Sequence, residues 1–226
     1  MKQKKLFDHS VIEEKLANFS PLELDSSELI KSAVLIPIIP TDSGYKIIVT
    51  ERSSRLKHHR GEMSFPGGRF DTKIDNSLQD TALRETFEEI GIKQNEVNII
   101  GSLDDLPTLT GFIIRPYVGL LRNDNEIKFR LNDKEVSELI EIPIEYIGQD
   151  NLFYEIPFPK DPENWTMLCF NYNDPHSNHK FKIWGATAHM LQEFLKKLYN
   201  IIVITPEYRR PILEECHEFV KKKLNK

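Results

Sequence analysis

Arg84-Glu85-Thr86-Phe87-Glu88-Glu89-Ile90-Gly91-Ile92 sets three carboxylates on about one turn of an expected helix. Glu85 stands three residues from Glu88 and four from Glu89, so like charges share a face at a cost of roughly 0.2–0.5 kcal/mol per pair. A cation is therefore expected among them. Leu78, Ala82, Leu83, Phe87 and Ile90 recur at helical spacing and predict an apolar face for the core, with the acidic face opposite. Ser77 followed by Asp80 offers a start signal and Gly91 a stop. Alone, such a face reads as acidic and solvated; the residues upstream change that reading.

Gly61-Glu62-Met63-Ser64-Phe65-Pro66-Gly67-Gly68 leads toward the helix. Glycines let a backbone approach a ligand closely and turn its amides or carbonyls toward a phosphate or a metal. Gly-Gly followed by Arg-Glu-x-x-Glu-Glu resembles the Nudix box, Gly-x5-Glu-x7-Arg-Glu-U-x-Glu-Glu-x-Gly-U. The C-terminal half fits from Arg84 to Ile92, with Thr86 where an apolar residue is usual. The N-terminal half is longer: Gly68 to Arg84 is sixteen steps against fourteen, Ile74 stands where the box has its first Glu, and Asp71 and Asp75 are the nearest acids.

That insertion is similar to the coenzyme A pyrophosphatase branch, which carries a second motif, Leu-Leu-Thr-x-Arg-Ser/Ala-x3-Arg-x3-Gly-x3-Phe-Pro-Gly-Gly-x2-Asp. This chain has Ile48-Val49-Thr50-Glu51-Arg52-Ser53, Lys57, Gly61, Phe65-Pro66-Gly67-Gly68 and Asp71 at the same spacing. Lys57 keeps the charge of the motif's second Arg but not its planar fork. Leu103-Asp104-Asp105-Leu106, Thr110-Gly111-Phe112, Glu135-Val136 and Ile183-Trp184-Gly185-Ala186-Thr187-Ala188 also resemble that branch, so the likeness covers about residues 33–195.

The resemblance implies an α/β fold, the Nudix α/β/α sandwich with a mixed sheet between helices. It implies hydrolysis of coenzyme A, its thioesters or its oxidised forms, to 3',5'-ADP and 4'-phosphopantetheine. A diphosphate resists attack because its oxygens repel a nucleophile, so divalent metal is needed, and Mg²⁺ or Mn²⁺ prefers oxygen ligands. By similarity, Glu85 and Glu89 are metal ligands, Glu88 belongs to the same cluster, and a carbonyl of Gly67 or Gly68 lies near the metal. Arg84 orients a carboxylate. The general base is Glu135, Asp133 or Glu88. Substrate contacts are expected from Arg52, Arg55, Lys57, Arg60, Phe65 and Gly67; the basic cluster of Arg52, Arg55, Lys57, His58, His59 and Arg60 is the expected reader of a 3'-phosphate. Two other readings compete: a Nudix hydrolase of ADP-ribose or a dinucleotide, and a catalytically silent Nudix-fold binding module.

At 226 residues the chain can bury a core unaided, and it is expected to hold an N-terminal extension (1–30), the catalytic domain (31–200) and a C-terminal helical extension (201–226). A net charge of −5 argues against a nucleic-acid partner. Cys169 and Cys216 form no Cys-x-x-Cys and are expected to be reduced packing residues. The basic N-terminus lacks the apolar run of a signal peptide, and no window would span a membrane, which predicts a cytoplasmic protein. Helices are expected over residues 11–18, 187–198 and 211–224, the last packing on the surface or on a second subunit, so that a homodimer is one expectation. Strands are expected over 33–39, 45–50, 97–103, 112–122, 126–131, 135–142, 152–156, 167–172 and 181–184, with turns at Asp42-Ser43-Gly44 and Asn123-Asp124-Asn125, and a short helix after Pro143.

Overall fold

The computed structural model describes residues 9–42, 44–56, 59–122, 127–149, 152–158, 164–175 and 177–224. Lys57, His58, Ser43 and the Asn123-Asp124-Asn125 turn lie outside them, as does the basic run of residues 1–8. The elements run α1 (His9–Ala17), β1 (Ile30–Thr41), β2 (Gly44–Arg52), β3 (Met63–Ser64), β4 (Gly67–Arg69), α2 (Leu78–Ile90), β5 (Val97–Ser102), β6 (Leu106–Pro107) and β7 (Phe112–Leu121). Then follow β8 (Val136–Pro143), α3 (Ile144–Ile147), β9 (Phe153–Pro157), β10 (Thr166–Asn173), β11 (Lys180–Trp184), α4 (Ala186–Tyr199) and α5 (Leu213–Leu224).

The nearly continuous apolar run of β1 puts it at the centre of a mixed sheet, parallel to β7 and antiparallel to β2 and β4. Side-chain alternation then splits it between two cores. Ala33 and Leu35 pack against Ala82 and Leu78 of α2, while Ile36 and Ile38 face the larger core with Ile12 and Leu16 of α1 and Leu191 and Leu195 of α4. Helices therefore cover both faces, as the α/β/α reading expects. Proline is unusual in a central strand because it cannot donate to the ladder. Pro37 falls where β1 changes partner, in the gap between the β4 pairing of residues 32–34 and the β2 pairing of residues 38–41. The antiparallel set β11-β10-β9 contributes Leu168, Phe170, Phe181 and Ile183 to the same large core.

Helix α2 starts and stops on the expected residues. The Ser77 hydroxyl accepts from the Asp80 amide, and Gly91 closes the helix in the left-handed region at φ 79°. Two expectations are corrected. Phe87 is 53% exposed, and Thr86 takes the buried position, its hydroxyl donating to the Ala82 carbonyl at 2.7 Å. The apolar face is thus rotated toward Thr86 and Glu89, which also brings a carboxylate into the interior. Residues 127–131 form no strand, although Ile127 and Phe129 do pack inward beside Ile90 and Ile92. Their backbone serves the helix instead: the Arg130 amide donates to the Ile90 carbonyl and the Asn132 amide to the Glu89 carbonyl, both at 2.9 Å. These carbonyls are the ones a helix end leaves unpaired.

The chain beyond α4 is bound into the body. The Val203 amide donates to Gln192, the Thr166 amide to the Arg209 carbonyl, and Cys216 of α5 is buried with Leu29 and Ile113. Both cysteines are free and buried. Among the described residues no helix is long and apolar enough to cross a membrane.

Candidate active site

The acidic face of α2 lies against β4, and Gly68 shows how tightly. A Cβ there would stand 2.4 Å from the Glu85 carboxyl carbon, and one at Gly67 would meet the Ala33 carbonyl at the same distance. Gly67 needs glycine because the obstacle is backbone, whereas a side chain at Gly68 would displace the Glu85 carboxylate. The expected cation is Arg84. It donates to Glu85 at 2.7 Å and to Glu88 at 3.2 Å, and is itself gripped at two points by Asp75 at 2.8 and 2.9 Å. Asp75 also accepts from the Thr81 hydroxyl and the Asp71 amide. With Arg84 as the main cause, its carboxyl is held well below the usual range, at about 2. The nearest acid to the missing first Glu of the box is thus an anchor for Arg84, while Ile74 faces solvent.

Glu89 is the opposite case. It is 3% exposed, and its Oε2 has no hydrogen-bond partner. Burial pushes its pKa up to about 8, assisted by Glu85 and Glu135 and opposed by Arg52 and a bond from the Gly67 amide. Burial likewise raises Glu85. Arg52 has its own buried, unpartnered Nε. An acceptor and a donor, both shielded from water and both unused, are what a ligand-binding site presents before it binds.

Among the described residues no three acidic or imidazole side chains already form a cation cage; Arg84 stands between the carboxylates of Glu85 and Glu88 instead. The donors nonetheless suit a hard divalent cation, since they are carboxylate oxygens with one orphaned acceptor and a glycine cradle beside them. Glu135 lies close enough to Glu85 and Glu89 to raise both, and Asn132 donates to it at 3.1 Å. Asp133 is turned to solvent and paired with Arg55 at 2.9 Å. Arg60 is exposed and donates to the Leu56 carbonyl. Arg52 and His59 line the cleft with Phe65, Gly67 and Gly68, whereas Arg55 and Arg60 do not; Lys57 lies outside the described residues.

From Gly67 and Gly68 a cleft of about 660 Å³ runs past Met63, Phe65, Phe112, Met167 and Trp184 to Tyr208 and Arg210. Its far wall was missed in the sequence, where Tyr208-Arg209-Arg210-Pro211 carries no periodicity or spacing that marks a site.

The family model described as the NUDIX domain matches residues 30–152. The uncharacterized Nudix hydrolase NudL of Pectobacterium atrosepticum is 33% identical over 165 residues, spanning 72% of this chain and 80% of that protein. The peroxisomal coenzyme A diphosphatase NUDT7 of Mus musculus is 30% identical over 158 residues, 70% of this chain and 66% of that one. Among solved structures, a MutT/nudix family protein from Enterococcus faecalis covers 88% of this chain and 73% of its own at 14% identity and a TM-score of 0.46. A glycine cradle, a carboxylate helix and a sheet covered on both faces, joined to this family match, place the chain in the Nudix hydrolase family, as an enzyme with the α/β/α fold.

Proposed function

We propose that this chain hydrolyses the diphosphate of coenzyme A, and of its thioesters or oxidised forms, giving 3',5'-ADP and 4'-phosphopantetheine. The observation that carries this reading is the joining of the carboxylate site to a long, largely apolar cleft. Such a cleft, with aromatic walls for a flat base and the Arg210 cation at its far end, suits a substrate that carries a nucleoside phosphate beyond its diphosphate. The similarity to the mouse coenzyme A diphosphatase supports the same choice over ADP-ribose or a dinucleotide.

In this reading Glu85 and Glu89 hold Mg²⁺ or Mn²⁺, with Glu88 in the same cluster and the Gly68 backbone beside it. When bound, the cation neutralises the diphosphate and makes water a better nucleophile. The rest belongs to the chain. Asp75 fixes Arg84, and Arg84 keeps the carboxylates of Glu85 and Glu88 in place. Arg52 offers its free donor to a phosphoryl oxygen, and Phe65 and Gly67 border the substrate. Glu135 accepts the proton of the attacking water; its closeness to Glu85 and Glu89 favours it over Asp133, which is committed to Arg55.

A panel of coenzyme A, dephospho-coenzyme A, ADP-ribose and a dinucleoside polyphosphate, each with Mg²⁺ and with Mn²⁺ and with products identified, tests the proposal. Coenzyme A should be turned over with the highest kcat/KM, and its two phosphates should part. Faster cleavage of ADP-ribose, or release of free phosphate, would overturn the assignment.

A further inference from the structure

Arg210 stands at the far end of the cleft from the glycine cradle. Its guanidinium donates to the Pro107 carbonyl at 2.7 Å and, among the described residues, makes no ion pair. A guanidinium carries five donors, so most of its capacity is unspent. Three acids border the small cavity behind it, and each is already engaged. Asp105 is bound at two points by Arg115, at 2.8 Å each; Asp104 pairs with Lys197 at 3.1 Å; Glu193 lies 3.6 Å from Lys196. Burial also works against the charge of Arg210. The adjoining His189 relieves nothing, because its Nδ1 is 3.2 Å from the Tyr208 hydroxyl and burial holds the ring neutral. A half-buried cation with no ion-pair partner of its own has capacity left for an anionic ligand.

The sheet fixes how far this cation stands from the carboxylate site. Arg69, Ser32, Ile114 and Leu106 lie in one row across β4, β1, β7 and β6. Three strand spacings separate the first from the last, about 14 Å. Gly68, against Glu85, is next to one end of the row, and Pro107, which holds Arg210, is next to the other. A diphosphate, a ribose and its 3'-phosphate, set between a cation and a guanidinium, need a span of this order. Of the cations first expected for this task, Arg55 is paired with Asp133 and Arg60 is exposed against Leu56, while Lys57 and His58 lie outside the described residues.

Resting on the coenzyme A reading above, we propose that Arg210 is a specificity-determining residue which binds the 3'-phosphate of the substrate's ADP moiety. The selectivity for coenzyme A over dephospho-coenzyme A then originates in the C-terminal segment rather than in the basic loop after β2.

The test compares wild type with Arg210→Ala on both substrates, and measures the rise in melting temperature produced by 3',5'-ADP and by ADP. Arg210→Ala should lower kcat/KM for coenzyme A by about 10- to 100-fold, the scale of losing charge-assisted hydrogen bonds, and barely change that for dephospho-coenzyme A. The extra stabilisation of wild type by 3',5'-ADP over ADP should vanish in the variant. If Arg210→Ala does not fold, Arg210→Gln, which keeps a donor for the Pro107 oxygen, carries the same comparison. Equal losses on both substrates, or a preference that survives in the folded variant, overturn the inference. If wild type leaves coenzyme A intact yet prefers 3',5'-ADP through Arg210, the substrate assignment fails and this inference stands. If coenzyme A is cleaved with its preference independent of Arg210, the reverse holds.

Discussion

Asp75 and Glu89 are both buried carboxylates, one just ahead of α2 and one near its end, and their surroundings push them in opposite directions. Asp75 receives Arg84 twice, a hydroxyl and an amide, and is stabilised as an anion; Glu89 keeps an oxygen with no partner and holds its proton to about pH 8. Depth alone therefore says little about what a buried acid is for. The hydrogen-bond account separates them: the satisfied acid holds the helix in place, and the unsatisfied one is left for a ligand.

Neutralising Glu89 should break the contrast most visibly. Glu89→Gln is expected to lower kcat by more than the 10- to 100-fold typical of residues supporting a metal site from outside. Without metal it should be more stable than wild type, with a defined pH window. A folded-state pKa raised from 4.5 to about 8 means that the unfolded chain ionises first, so wild-type stability falls as pH rises through that interval, and below it the penalty is absent. Melting curves from pH 4 to 9 should show this decline in wild type and not in the variant. Near wild-type turnover at saturating Mg²⁺ or Mn²⁺ would sink the assignment.

Asp75→Asn should behave in the reverse sense, costing stability first and activity as a consequence. Removing the buried partner leaves Arg84 with only Glu85 and Glu88 to balance it, at a cost of up to about 3 kcal/mol. The folded pKa of Asp75 lies below its unfolded value of 3.8, so its contribution is present above that value and lost as pH falls toward about 2. Chemical denaturation at pH 7 and pH 3 should show a smaller difference between variant and wild type at the lower pH.

Phe87→Ser sharpens the comparison with the smallest effect. An exposed side chain on the helix between these two acids should change stability by no more than about 0.5 kcal/mol. A loss several times larger would mean that the apolar face lies where periodicity alone predicts it.

That periodicity shows where the sequence was readable. The length of α2, both of its ends and its three carboxylates follow from local spacing, and β1 and β7 follow from apolar runs that can only be buried. Phe87 misleads because a threonine can enter a core once its hydroxyl bonds to its own helix, which leaves the position intended for an aromatic ring facing water. Residues 127–131 mislead for a related reason: alternation reports which side chains point inward, not which backbone the amides pair with, and here that backbone is the end of α2. The role of Asp75 was hidden by the two-residue insertion, and Arg210 by its distance along the chain from every motif.

That distance bears on how such an enzyme diversifies. The carboxylate site is drawn from residues 52–89 and 135, and much of the far wall of the cleft from residues 158–211. Substitutions in the later stretch that spare Thr187, whose hydroxyl donates to the Met63 carbonyl, touch none of the hydrogen-bond partners of Arg84. A lineage can therefore drift in what it accepts while inheriting its reaction intact, and a chimera that exchanges only the chain after β9 is the unit on which such selection would act.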